Sequence, residues 1–304
     1  MNRRLAGVVA PLAVPLTDDE SVDEQALRGL IRYLAPHLDG YLLRGSSGEY
    51  AALRPDVADR LLEVALEEVS DTAMVVVGVG DTSTSRAIGN IRRLRSDRID
   101  AVAVTSTFYY AAPDQDALIR HFREVADASD YPVVLYNIPQ NTGGNLRPTS
   151  VERLAAHPNI VGIKDSWGDM VEFENMLFSN LPDGFAVMQG REELTVMCRI
   201  LGGAGIVSGL ANLTPWLLRA VIEAVDIGDT AAAVAAQRDV NRAAAVFAQG
   251  HWLPALKFAI AELGFGTGRV SHPLPEPTPA QKDAIRRILT REATAPEKIE
   301  ENRP

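Results

Sequence analysis

Only four of the chain's 30 basic residues are lysines, at positions 164, 257, 282 and 298. Lys164 ends the apolar run Ile160-Val-Gly-Ile-Lys164-Asp165. In a strand, side chains alternate between faces, so Gly162 and Lys164 share one face while Val161 and Ile163 share the other. If Val161 and Ile163 pack against outer helices, Lys164 points into the interior. Partial desolvation there disfavours the ammonium and frees an amine that can attack a carbonyl. An ion pair with Asp165 or another acid is the competing explanation. Lys257 lies in Pro254-Ala-Leu-Lys-Phe-Ala-Ile, an apolar helical segment, and reads as a surface lysine lying along its stem. Lys282 and Lys298 sit among polar residues.

Other groups could assist an amine. Tyr136, in Val133-Val-Leu-Tyr136-Asn-Ile-Pro139, places a phenol at the end of the preceding strand, where it could carry protons or serve as a half-buried core residue. Arg44-Gly45-Ser46-Ser47-Gly48-Glu49 sets two hydroxyls between glycines, so side chains and backbone N–H groups could meet a carboxylate; a plain Gly/Ser turn explains it as well. Gly78-Val-Gly80-Asp-Thr-Ser lacks the third glycine of a dinucleotide fingerprint. Gly202-Gly-Ala-Gly205-Ile-Val-Ser-Gly209 suits phosphate binding or close helix–strand packing equally.

These residues must be held by regular elements. Eight short β-branched runs recur, Gly7–Val14, Gly40–Leu43, Met74–Val79, Ala101–Thr105, Pro132–Tyr136, Ile160–Lys164, Phe185–Met188 and Gly205–Ser208, separated by helical patterns such as Asp23–Leu34, Pro55–Val69, Ser83–Leu94, Asp114–Ala126 and Pro215–Val225. Pro, Ser or Asp introduces several of these, as helix starts require. Eight strand–helix units predict an α/β fold, a (β/α)8 TIM barrel over residues 1–226, with an open doubly wound sheet as the alternative. Helical patterns at Thr230–Ala248, Leu253–Leu263 and Pro279–Arg291 predict a C-terminal helical extension over 227–293, and the charged stretch 294–304 reads as a frayed tail.

Composition narrows the partners. The 304 residues are 46% hydrophobic and 23% charged, and the net charge of −10 is spread along the chain, which argues against nucleic acid. A lone cysteine, Cys198, and five scattered histidines form neither a disulfide framework nor a metal set, so the expectation is a cytoplasmic protein with no metal. No apolar run reaches the roughly 18 residues of a membrane span. The apolar stretch Ala6–Leu16 after Met1-Asn-Arg-Arg-Leu imitates a signal peptide, but Pro11 and Pro15 interrupt it and it reads as a first strand.

Taken together, the segments resemble the dihydrodipicolinate synthase / N-acetylneuraminate lyase family of Schiff-base aldolases, over roughly the first 290 residues. Gly45-Ser-Ser-Gly48-Glu49 is similar to the family's G-[ST]-[TNS]-G-E loop, Tyr109-Tyr110 to its paired tyrosines, Tyr136-Asn-Ile-Pro139 to Y-N-x-P, and Gly162-Ile-Lys164-Asp to G-x-K-[DE]. The resemblance implies a barrel assembled as a homotetramer in which Lys164 condenses with the ketone of pyruvate or another 2-oxo acid, without a cofactor. It implies Tyr136 as proton donor and acceptor, linked through Ser47 to Tyr110 of a neighbouring subunit. It also implies Ser46, Ser47 and Gly48 around the 2-oxo acid's carboxylate, and Ile206 lining the pocket.

On substrate the match thins. The family's lysine-biosynthetic members keep an arginine two residues after the Y-N-x-P proline, where this chain has Asn141, and an amide cannot replace a bidentate guanidinium. The Pro139-Gln-Asn-Thr-Gly143 pattern looks more like aldolases of 4-hydroxy-2-oxoglutarate and 2-oxo-3-deoxy acids. Glu192, in Gly190-Arg191-Glu192-Glu193, stands where sugar-cleaving relatives bind substrate hydroxyls, and Arg191 could take a second carboxylate; a solvated first helical turn is the favoured reading. The expected activity is therefore a class I aldolase or lyase on a 2-oxo acid. The alternatives are the lysine-biosynthetic synthase, a dehydratase using the same imine, and a non-catalytic ligand-binding barrel.

Overall fold

The computed structural model describes residues 4–112 and 114–292. Eight strands, β1 (Gly7–Pro11), β2 (Gly40–Leu43), β3 (Met74–Gly78), β4 (Ala101–Thr105), β5 (Val133–Asn137), β6 (Ile160–Asp165), β7 (Ala186–Gln189) and β8 (Gly205–Val207), pair in parallel in chain order, and β8 closes on β1. Their near-continuous Val, Leu and Ile content suits strands covered on both faces. The chain thus builds the expected closed (β/α)8 barrel. Strand β1 is shorter than its apolar run because the chain turns out of the sheet after Pro11, where Ala13 N–H donates to Asn212 Oδ1 at 2.9 Å.

Among the described residues, nine α-helices separate the strands or directly follow the last one: α1 (Glu24–Leu34), α2 (Pro55–Glu68), α3 (Thr84–Arg93), α4 (Gln115–Asp127), α5 (Pro139–Thr142), α6 (Pro148–Ala155), α7 (Met170–Leu177), α8 (Thr195–Ile200) and α9 (Pro215–Asp226). Their starts are chemically specified. Asp23 caps α1 by accepting from Ala26 N–H at 3.0 Å, and Asp114 caps α4 by accepting from Ala117 N–H at 2.8 Å. Proline opens α2, α6 and α9, where its missing N–H costs no helical bond.

Two apolar layers follow from the strand alternation. Val9, Leu42, Val76, Ala103, Val134 and Met188 fill the barrel interior, while Val8, Tyr41, Val77, Val104, Leu135 and Ile163 pack against the helices. Two expectations are corrected here. Val161 packs with the interior layer, not with Ile163, because the β5–β6 register slips between Val133 and Val134: Val133 pairs with Ile160 and Val134 with Gly162. Ile206, expected in the pocket, belongs to the helix-facing layer, and the inward residue of β8 is its neighbour Val207.

Helices α10 (Thr230–Ala244), α11 (Trp252–Glu262) and α12 (Pro279–Glu292) form the extension. Val240, Leu256, Ile260 and Ile285 are buried in the same apolar cluster as the helix-facing side of the barrel, so barrel and extension share a core. The expected tail at 294–304 lies outside the described residues. No helix among the described residues is long and apolar enough to cross a membrane.

Candidate active site

Past the bulge, β5 and β6 run in register so that Tyr136 pairs with Lys164 and Asn137 with Asp165. Both inward side chains are buried, with 4% and 5% of their surface exposed. Lys164 Nζ stands 4.1 Å from the centroid of the Tyr136 ring, so the amine lies over the face of the phenol. The Tyr136 hydroxyl is 3.2 Å from Ser46 Oγ. The amine, phenol and serine hydroxyl therefore converge at the C-terminal mouth of the barrel, where this fold carries its chemistry.

The hydroxyl that meets the phenol is Ser46's and not Ser47's, which corrects the expected link. Ser47 is buried toward β8, its Oγ 3.7 Å from the point a Cβ on Gly209 would occupy. Gly48 N–H, expected beside a carboxylate, donates inside the turn to Gly45 carbonyl at 3.0 Å, as Glu49 N–H does to Ser46 carbonyl at 3.2 Å. Tyr110 is 78% exposed and packs edge-to-face on Tyr109, ring centroids 4.9 Å apart.

Asn141 lies on α5 and is exposed, its N–H donating to Ile138 carbonyl at 3.0 Å. Glu192 departs from the solvated turn foreseen for it. It is buried and accepts from Ser208 Oγ, at the end of β8, at 2.7 Å, while its carbonyl accepts from Gln237 Nε2 on α10 at 2.9 Å. Burial raises its carboxyl above the usual range, with the Glu193 charge adding to it. Arg191 is exposed and faces Glu193 at 3.6 Å.

Lys257 also departs from its expected place. It is buried, not at the surface, and pairs with Glu49 of the hydroxyl loop, whose second oxygen accepts from Ser271 N–H at 2.7 Å. Helix α11 is apolar on nearly all sides and buried from Leu253 to Ile260, so the lysine stem has no route to water. The extension thereby grips the loop that carries Ser46.

Behind the amine, Asp165 faces away from the interior. Asn137 Nδ2 donates to its Oδ1 at 2.7 Å and to Asn145 Oδ1 at 2.9 Å, and Asn145 donates to Glu172 on α7 at 3.0 Å. Burial pushes Asp165 up from 3.8 to about 6, against the hydrogen bond from Asn137. A folded value above the ordinary one means that the stabilising protonated form is complete below about pH 3.8 and is lost as pH climbs through 6. Asp165→Asn, which keeps an acceptor for Asn137, should therefore match the parent near pH 4 and exceed it above pH 7 by up to roughly 3 kcal/mol. Urea unfolding at the two pH values measures this; an equal difference at both would show that Asp165 is ionised throughout. Among the described residues, no group of three or more His, Cys, Asp or Glu could hold a metal ion.

Known proteins resemble this chain in sequence and in fold. The model of the dihydrodipicolinate synthetase family matches residues 4–292. The 4-hydroxy-tetrahydrodipicolinate synthase 1 of Streptomyces coelicolor is 37% identical over 268 residues, 86% of this chain and 86% of that protein. The 4-hydroxy-tetrahydrodipicolinate synthase of Methanothrix thermoacetophila is 34% identical over 290 residues, 94% of this chain and 96% of that protein. The crystal structure of YagE, a prophage protein of the dihydrodipicolinic acid synthase family from E. coli K12, in complex with pyruvate, superposes with a TM-score of 0.90 at 25% identity, covering 96% of this chain and 99% of that one.

Proposed function

The chain belongs to the dihydrodipicolinate synthetase family of lyase-type aldolases, and on that premise we propose that Lys164 forms an imine with pyruvate or a pyruvate-derived 2-oxo acid. The observation that carries this reading is the buried Lys164 amine 4.1 Å over the Tyr136 ring, with the phenol in contact with Ser46. In the proposed cycle the amine attacks the ketone carbon, Tyr136 moves protons as the carbinolamine loses water, and the iminium draws electrons from the bond between the third and fourth carbons. As Tyr136 takes the proton from the hydroxyl on carbon four, that bond breaks to an aldehyde and an enamine. The enamine takes a proton at carbon three, and water releases pyruvate from Lys164. Condensation is the reverse.

Ser46 and Ser47 would hold the acid's carboxylate, and Val207, as the inward residue of β8, takes the lining place expected of Ile206. Tyr110 would act on the site of a neighbouring subunit, for which its exposure leaves it available, in a cytoplasmic homotetramer. For substrate, the neutral Asn141 favours cleavage of 4-hydroxy-2-oxoglutarate or a 2-oxo-3-deoxy acid. The names of the Streptomyces and Methanothrix relatives favour a second reading, condensation of pyruvate with aspartate semialdehyde.

Incubation with pyruvate and borohydride, followed by intact mass and peptide mapping, tests the chemistry. With four lysines in the chain, the site of the adduct is unambiguous. An adduct on Lys164 is expected; a protein that stays unmodified, or is modified at another lysine, would overturn the imine. Turnover of the three substrate classes then separates the two readings.

A further inference from the structure

The slip between β5 and β6 lies just upstream of the two side chains that imine chemistry needs. Before it, Val133 pairs with Ile160; after it, Tyr136 pairs with Lys164. Paired residues of neighbouring strands face the same side of the sheet, so carrying the first spacing onward would set Tyr136 opposite Ile163 and Asn137 opposite Lys164. Lys164 would then point at the helices. Gly162 makes room for the extra residue, since a Cβ there would come within 2.6 Å of the Ala186 carbonyl oxygen. Apolar composition does not choose between the two spacings, because Val161 and Ile163 would serve in either layer.

What separates them past the slip is polar. The helix-facing residues of β5 are Val133, Leu135 and then Asn137, an amide as buried as its apolar neighbours. A buried amide needs partners for all its groups, and Asn137 has them. Its Oδ1 accepts from Leu146 N–H at 3.0 Å, while its Nδ2 donates to Asn145 Oδ1 at 2.9 Å and to Asp165 Oδ1 at 2.7 Å. Only the shifted pairing sets Asp165 opposite Asn137. In the other, the buried amide loses that acceptor, which disfavours it.

We infer that Asn137 and Asp165 are positioning residues for the imine chemistry: their hydrogen bond holds the register that turns Lys164 inward beside Tyr136. The inference rests on the reading of Lys164 as the imine-forming lysine. Both side chains act through the strands that carry them, from the helix-facing side of the barrel wall.

Two substitutions at one position test it. Asp165→Asn and Asp165→Leu are similar in volume and both remove the charge, but only the first keeps an acceptor for Asn137. Near neutral pH, the borohydride-trapped pyruvate adduct on Lys164 is expected to form about a hundredfold more slowly in Asp165→Leu, the loss that follows a reacting group displaced by about 1 Å. Asp165→Asn should recover most of that rate. Hydrogen exchange of the Ser166 amide, which donates to Asn137 carbonyl at 2.8 Å across the two strands, reads the register without pyruvate. It should quicken about tenfold or more in Asp165→Leu and not in Asp165→Asn, with the amides of β2 and β3 as the control for folding. Should those control amides lose protection as well, Asp165→Ala takes the place of the leucine variant. The inference is overturned if the leucine and asparagine variants form the adduct at similar rates, both fast or both slow, or if Ser166 keeps its protection in Asp165→Leu. A parent protein that forms no adduct would remove the imine reading, and the exchange of Ser166 would then decide the register by itself.

Discussion

Lys164→Ala is expected to give no borohydride-stable pyruvate adduct and to lower kcat/KM by at least about four orders of magnitude, the scale on which losing a covalent nucleophile is felt. Its fold should survive. Lys164 makes no ion pair in the described structure, and its neighbours Met188 and Val134 hold the interior by apolar contact. Ser46→Ala removes the hydroxyl 3.2 Å from the Tyr136 phenol and should cost roughly ten- to a hundredfold in kcat, while the adduct still forms on Lys164. Ser47→Ala lacks that contact and should act mainly on KM. Mass spectrometry reads the adduct and steady-state kinetics the rest. Comparable kcat losses at Ser46 and Ser47 would refute the assignment of the relay to Ser46.

The largest effect on stability is expected at Lys257. Its side chain and that of Glu49 are 2% and 1% exposed, so Lys257→Met leaves a carboxylate stranded in the core. Breaking one side of such a pair costs about 3–5 kcal/mol, whereas removing both charges is far cheaper. Glu49→Gln combined with Lys257→Met keeps an acceptor for Ser271 N–H and should recover most of the loss. Urea midpoints of the two single variants and the double one close the cycle. Strict additivity would mean that the pair contributes nothing as a pair.

Much of the architecture could be read directly from residues. Proline and aspartate at the helix starts, and apolar runs of strand length between them, locate the alternation that closes the barrel. Lys164 stood out because the chain uses arginine almost everywhere else. Other features were hidden for definite reasons. The slip opposite Val133 breaks a two-residue alternation without changing its composition, so strict alternation puts Val161 with Ile163 whereas the strand turns it inward. In the three-residue strand β8, Ile206 and Val207 are chemically alike, and only pairing decides which faces inward. Ser46 and Ser47 are the same residue side by side; the position of a phenol 90 residues away distinguishes them. Glu49 and Lys257 are 208 positions apart, beyond the reach of any local pattern.

That separation has a consequence for synthesis. All eight strands have left the ribosome by the time residue 207 is exposed, yet the cation that anchors the hydroxyl loop is encoded about 50 residues later. At ordinary translation speeds Glu49 waits roughly 10–40 s for its partner. A nascent chain halted after the last strand would hold every catalytic side chain proposed above and still lack a settled seat for the keto acid's carboxylate.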